Sequence, residues 1–592
     1  MAPGTRAGAE PTDNSPATHT HHEPTIADEF TSLLAGQIAN DEEASSDATL
    51  NSEGVTVVDE FVGYPWWRRP SVFWLLGPYL LFTLAFGGVV IPKINLILDL
   101  VCRQYFNEQQ KQNPNLKYPP IIFGADNPQC ENSDIQKRMA FFTGVLNLVT
   151  GGIAAFVVPK VGHLSDRFGR TRLLALASCG GLLNELITVL AGTFPNTIDY
   201  RWLVLGAIFD GMTGSFTAGA VLTQSYASDC TLPSKRAVTI GYIHACLFAG
   251  LAFGPLLAAQ LIKLTGQVMI VFYIVMACHL FFILFTGFVI PDSLSAKKKL
   301  LAKEKWRLAK QGHQGGLLSN LRKSHPLQSF QALWPQGPGT SSTLRRNLVS
   351  LAFTDMVLMG AMVAISPVLV IYTGYVLHWG TVDISMYVSA VCMARVVVLL
   401  GILPTINYFA RTLPARRRGE GVDIHTEKRR GADRLDLIIL RVALLSDVIG
   451  STGYVFARNG HAFYASGLMT AFGGMGSATI GSIITKHVPQ NRVGETLGAV
   501  GMLHALARVA GPLLFNALYY VTVDTFTQAV FVLLASIFGT ALLNSLFIKP
   551  FVFWDDPHEH EHEEDERSQH AVPERDALIL GQNSIDAAVA SA

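Results

Sequence analysis

Long apolar runs, each of about 20 residues or more, alternate with polar connections along most of this chain. They fall at approximately 72–99, 138–160, 172–193, 201–228, 237–263, 268–290, 348–377, 384–408, 435–457, 461–485, 495–521 and 526–548. Backbone polar groups in lipid must find partners within their own segment, so the runs predict twelve membrane-spanning helices. The expected fold is all-α and integral to the membrane. Short polar connections between runs 2 and 3, 4 and 5, and 11 and 12 predict helical hairpins. The intervals 1–60, roughly 297–345, 411–433 and 556–592 have Lys/Arg, Gly/Pro/Ser or Glu/His bias that cannot support a packed core, and are expected to be disordered.

Composition agrees with a membrane protein: 49% of residues are hydrophobic and only 15% charged, against about 25% charged in soluble domains. The net charge of zero says nothing about partners, but its distribution sets an orientation. The connection 291–346 carries eleven Lys/Arg and the connection 411–434 eight, whereas 378–383 and 522–525 carry none. The positive-inside rule therefore puts both termini and these basic segments in the cytoplasm. No cleavable leader is visible in the Thr-, Ser- and acid-rich first 60 residues. Of seven Cys, Cys102 and Cys130 bracket the connection after the first run and are candidates for a disulfide if that side is oxidising.

The long basic linker divides six runs from six. PSKRAVTIGYIHACLFAGLAFGPLL (233–257) and PQNRVGETLGAVGMLHALARVAGPLL (489–514) share a Pro-x-x-Arg turn and a late Gly-Pro. VVPKVGHLSD (157–166) and ILPTINYFAR (402–411) form a second, weaker pair. An internal duplication of this kind is the architecture of rocking transporters. The expected organisation is a tail at 1–65, a six-helix bundle at 66–290, a linker at 291–346, a second bundle at 347–550 and a tail at 551–592.

Between runs 2 and 3 lies GHLSDRFGRTR (162–172). It resembles the signature loop of the major facilitator superfamily, G-x-L-[AS]-D-R-x-G-R-[RK], departing only at Thr171. The linker after run 6, Pro291-Asp292-Ser293 and Gly250-x-x-x-Gly254-Pro255 support the resemblance, which covers roughly 70–550. It implies two pseudo-symmetric six-helix bundles, a single central site and alternating access. YASD (226–229) followed by Arg236 resembles, within the superfamily, the proton-coupled folate/haem-carrier-type group and its fungal relatives. His244 stands where the folate transporter of that group has an acid, which argues against folate itself. The resemblance also implies a conformational latch of Gly162, Asp166, Arg167, Gly169, Arg170 and Asp229, with Glu495 opening run 11 nearby. The competing reading of the loop is a plain basic turn, which explains the arginines but not Gly162, Asp166 and Gly169 together.

Charge at membrane depth is costly, so ionisable residues inside the runs mark candidate sites. Asp210, Arg395, Asp447 and Arg508 fall near mid-depth, Glu185 somewhat outside it, and His244 and Asp355 in the inner half. His504 and Arg508, four apart, share one face of run 11. A cavity-facing Arg suits an anionic substrate; alternatively Arg395 or Arg508 pairs with Asp447 or Asp355 to hold helices together. Asp210, Glu185 and His244 are candidates for proton coupling, or hydrogen-bond neighbouring helices. Lys93 is expected to snorkel to the outer interface. HEHEHEEDE (558–566) and HTHH (19–22) fix no ligand geometry, so no metal site is expected. EFTSLL (29–34) and ERDALI (574–579) resemble sorting signals for endosomal or vacuolar membranes; the plasma membrane is the first expectation.

No phosphate-binding G-x-x-x-x-G-K-[ST] occurs, and no catalytic arrangement argues for an enzyme. The expectation is a monomeric, proton-coupled secondary transporter of a small organic solute in the lipid bilayer, with no cofactor and no nucleic-acid partner. A proton-driven exporter of drugs or secondary metabolites and a non-transporting membrane sensor are the alternatives.

Overall fold

The computed structural model describes residues 64–112, 121, 127–295, 299–300, 303–304, 330–418 and 431–555. The tail and linker expectations at 1–63, 305–329, 419–430 and 556–592 lie outside the described residues. Twelve helices follow in chain order: α1 Val72–Gln112, α2 Ser133–Phe168, α3 Arg170–Thr193, α4 in two pieces Leu203–Met212 and Ser215–Asp229, α5 Pro233–Thr265 and α6 Met269–Phe288. The second set is α7 Ser342–Val376, α8 from Thr381 to Arg418, α9 Arg434–Phe456, α10 in the pieces Gly460–Thr470 and Gly474–His487, α11 Val493–Thr522 and α12 Ala529–Leu546. No strand occurs among the described residues. Eleven of these helices are apolar and long enough to cross a membrane. The twelfth, α9, has 23 residues and packs against α10 and α12.

Several helices outrun their apolar cores. α1 continues to Gln112 through QYFNEQQKQ, where Gln, Glu and Lys keep a solvated helix going. Cys102 near its end is joined by a disulfide to Cys130, Cα atoms 5.6 Å apart, across the connection to α2. Side-chain caps fix several of the other starts. Asn132 accepts from the amide of Asp134 before α2, Ser341 from Leu344 before α7, and Asn459 from Ala462 before α10. Asp433 and Asp436 form a reciprocal capping box at α9.

Within the first half α1 packs on α5 and α3 on α6; within the second, α7 packs on α11 and α9 on α12. The halves meet through α2 with α11 and through α5 with α8 and α10. The α2–α11 seam needs glycine. A Cβ on Gly162 would lie 2.3 Å from the carbonyl oxygen of Gly494. Large apolar side chains such as Leu176, Leu257, Leu284, Leu513 and Leu543 face outward, as helices in lipid require.

Breaks occur at corresponding places in the two halves. α4 is interrupted where Gly214 (φ +86°) and Ser215 (φ +54°) enter the left-handed region. α10 is interrupted by a 3-10 turn at Ala471–Gly473. α8 widens into π-turns at Val398–Ile402 and Tyr408–Thr412, on either side of Pro404, which has no N–H to give the helix.

Candidate functional site

The break in α4 opens onto a cavity of about 350 Å³, within the size range of small-molecule sites. Its wall is aromatic. Phe86 and Phe216 stack at 5.4 Å, and Phe82 meets both the His279 ring and Phe282 at 4.9 Å. Four charged side chains line it: Lys93 from α1, Glu185 from α3, Asp210 from α4 and Arg508 from α11. Lys93 pairs with Glu185 at 2.6 Å. Asp210 accepts from Ser215, just across the helix break, at 2.7 Å. Arg508 donates to Thr217 at 3.2 Å, and its guanidinium carbon lies 5.9 Å from the Phe216 ring centre. Glu185 Oε2 and His279 Nδ1 are buried without a hydrogen-bond partner.

Lys93 does not reach an interface, as snorkelling would require. It lies four residues from Val89 and Ile97, both buried, so it shares the inward stripe of α1. That stripe was readable in the sequence. His279 was missed as well, lying in a run with no other ionisable residue.

A smaller chamber of about 30 Å³ adjoins the cavity through Tyr79, Phe216 and Ala220, which line both. His244, Gln224 and His504 line this chamber. His504 Nε2 stands 3.0 Å from Asp355 Oδ2. His244 contacts Ser477 of α10 at 3.0 Å and Gln224 at 3.4 Å. Arg395 and Asp447 lie elsewhere in the second half. Arg395 donates to Met362 Sδ at 3.4 Å and lies 5.0 Å from the Phe248 ring centre. Asp447 is buried against Gly473 at the α10 break. The expected helix-holding pairs of Arg395 or Arg508 with Asp447 or Asp355 do not form; Asp355 has His504 instead.

At the end of the bundle carrying residues 162–172, hereafter the basic face, Arg170 is 1% exposed. It reaches Asp166 at 2.6 Å and Asp229 at 3.0 Å, and also bonds Ser165. Asp229 takes a further hydrogen bond from Ser293 at 2.9 Å. Asp292 accepts from the Arg170 amide at 3.0 Å, satisfying the start of α3 where the helix dipole favours an anion. Gly169, at φ +100°, makes the turn possible: a Cβ there would stand 1.7 Å from Asp292 Oδ2. Arg167, on which Asp166 acts electrostatically, bonds His163. Glu495, at the start of α11, is close enough to act electrostatically on Asp166, and Gly494 beside it abuts the Asp166–Arg170 pair.

The second half carries a counterpart that the sequence reading did not pick out. Arg411, the partner of Asp166 in the weaker repeat pair, bonds Asp433 and Asp436 at 2.7 Å each. Lys486 at the end of α10 closes on Asp436 at 2.7 Å. Arg411 also donates to the Ser234 carbonyl at 2.9 Å, across the seam between halves. Arg236 crosses the same seam to the Thr485 carbonyl at 3.0 Å.

The sequence profile of the Major Facilitator Superfamily matches residues 136–418 and 432–587. The MFS-type transporter avaJ of Aspergillus versicolor is 27% identical over 484 residues, covering 81% of this chain and 89% of avaJ. The efflux pump ustT of Aspergillus flavus is 21% identical, covering 75% of this chain and 80% of the pump. Among solved structures, the human organic anion transporter MFSD10 (TETRAN) superposes with a TM-score of 0.59 at 15% identity, covering 80% of this chain and 98% of that one. That likeness is one of fold, and it agrees with the twelve helices. The chain belongs to the Major Facilitator Superfamily and is a multi-pass membrane transporter.

Proposed function

We propose that this transporter carries a small amphipathic organic solute by alternating access, with protons as the coupling ion. The observation that carries the reading is the cavity at the α4 break, where aromatic walls meet Lys93, Glu185, Asp210 and Arg508. Aromatic walls suit an apolar body, and the charged groups orient a polar one. Buried acids and histidines at such a depth are the groups that take up and release protons. Asp210 and Glu185 border the cavity, His504 and His244 border the adjoining chamber, and Asp355 stands against His504. Rocking of the halves would expose the cavity to each side in turn.

Asp166, Arg170 and Asp229, held by Gly162 and Gly169, are proposed as the latch that favours closure of the basic face. Close approach of Gly162 to Gly494 supports this. In this reading the basic face is cytoplasmic and the protein works as a monomer in the plasma membrane, or in a vacuolar or endosomal one. Export is the favoured direction, because relatives that cover most of the chain are named as an MFS-type transporter and an efflux pump.

Purified protein in sealed vesicles is the test, with a panel of labelled organic solutes measured with and without a pH gradient. Movement of at least one solute, accelerated by the gradient, is expected. Movement indifferent to the gradient removes proton coupling. Absence of movement for the whole panel, with the protein folded, favours a sensor.

A further inference from the structure

We infer that Arg508 is the substrate-reading residue, taking the anionic group of an aromatic or otherwise apolar organic acid. The inference rests on the transporter reading above and narrows it to a substrate class.

Arg508 stands apart among the charged groups of the cavity. Lys93 is neutralised by Glu185 at 2.6 Å, and Asp210 is engaged by Ser215 at 2.7 Å. Arg508 has a neutral hydroxyl, Thr217, at 3.2 Å, and the face of Phe216. It forms no ion pair among the described residues. A guanidinium has five N–H donors in a planar fork and stays charged. Asp210 attracts it from across the cavity without forming a direct pair, and holding such a group within the bilayer without an anion in contact is costly. The arrangement is that of a half-buried cation whose counterion is the cargo.

The surroundings specify the rest of the ligand. Phe86 and Phe216 stack beside the guanidinium, and Phe82 continues the wall toward Phe282. A flat apolar body along this wall would present a carboxylate or sulfonate to the fork, where two parallel hydrogen bonds can form. A cationic ligand would meet both Arg508 and Lys93 unfavourably, and of the cavity acids Glu185 is paired with Lys93 and Asp210 is bonded by Ser215.

Position gives Arg508 a second role. Among the residues lining the cavity it alone comes from the second half. A solute held by the first half through its body and by Arg508 through its charge therefore joins the two halves. An uncharged solute fills the same cavity without making that link. Substrate recognition and the relative movement of the halves then meet at one side chain.

The test uses the full chain purified in detergent and three matched probes: 2-naphthoate, 2-naphthamide and 2-naphthylmethylamine. Thermal stability is followed against probe concentration, and each probe is also offered to vesicles. The naphthoate is expected to bind about tenfold or more tightly than the amide, and the amine weakest. Arg508→Gln should erase the preference, and Arg508→Lys should keep part of it. Without ligand, Arg508→Gln should melt no lower than the parent, because it breaks no direct ion pair and removes a charge held within the bilayer; a structural arginine would give a lower melting point. Equal binding of acid and amide, an unchanged preference in Arg508→Gln, or no binding by any probe overturns the inference. If those results accompany solute movement in the broader panel, the transporter reading stands without this substrate class. If naphthoate binds through Arg508 but no solute moves, the site stands and the transporter reading falls.

Discussion

The two halves fasten their basic ends with clusters of opposite charge pattern. In the first half an arginine, Arg170, opens α3 and sits between acids at the ends of α2 and α4, Asp166 and Asp229. In the second half, acids Asp433 and Asp436 open α9 and sit between cations at the ends of α8 and α10, Arg411 and Lys486. Topological positions are kept and every sign is inverted. The backbone scaffold therefore does not dictate the sign; it dictates that three converging helix ends be joined by a hub of buried, opposite charges. The signs then choose the neighbour across the seam. Asp166 lies against the start of α11, where Gly494 approaches it and amide N–H groups favour an anion. Arg411 instead donates to a carbonyl, that of Ser234 at the start of α5.

The largest effect is expected at the hub of the second cluster. Asp436 is fully buried and accepts from both Arg411 and Lys486. Asp436→Asn leaves two buried cations with too little negative charge, a defect that costs about 3–5 kcal/mol. Thermal unfolding in detergent should show a marked drop, or expression should fail. Restoration by the double variant Asp436→Asn, Lys486→Met, which rebalances the charge, would identify charge and not shape as the cause. No loss in the single variant would refute the hub.

Asp166→Asn comes next and acts differently. Arg170 retains Asp229, so folding and insertion should survive. The loss is one charge-assisted interaction at the seam, about 1.5–3 kcal/mol, and each 1.4 kcal/mol is about a tenfold change in population. Transport should fall by about tenfold or more, and a cysteine introduced near the basic face should become easier to label. Transport at the parental rate would remove Asp166 from the latch.

Gly494→Ala sharpens the same contrast. Its methyl group would stand 2.4 Å from Arg170 Nη1 and 2.6 Å from the Gly162 carbonyl oxygen. The α2–α11 seam would have to part, whereas the Arg411 cluster, which does not touch Gly494, would be undisturbed. Labelling at the basic face should rise while the melting temperature falls by only a few degrees, the shift that about 1–2 kcal/mol gives.

How far the sequence carried this picture depends on what each signal measures. Hydropathy located twelve spans because apolar length is a one-dimensional property. Asp166, Arg170 and Asp229 were recoverable because a loop motif and short hairpins fix their neighbours. Lys93 and Glu185 are 92 residues apart, and height along a helix gives no information on facing, so their pairing was hidden. Arg395 and Asp447, picked out by height alone, do not line the cavity, for the same reason. Arg411 was masked by its setting. In a run of eight Lys/Arg it reads as topology, although its alignment with Asp166 already marked the inversion.

The smallest expected effect separates the two acids of the second cluster. Asp433 and Asp436 both bond Arg411 at 2.7 Å, so distance alone would rank them equally. Their surroundings differ. The Asp433 side chain is 36% exposed and that of Asp436 is 0%. Water screens the Asp433–Arg411 pair, and such pairs contribute about 0–1 kcal/mol. Asp433→Asn retains an oxygen to cap α9, since Asn is as good an N-cap as Asp. The variant should therefore unfold within a few degrees of the parent, and raising the salt concentration should narrow the difference further. Asp436→Asn should keep its deficit in the same salt titration, because its partners are buried from solvent. Equal losses for the two variants would mean that the second cluster is a solvated network, and its likeness to the buried Arg170 hub would be one of position only.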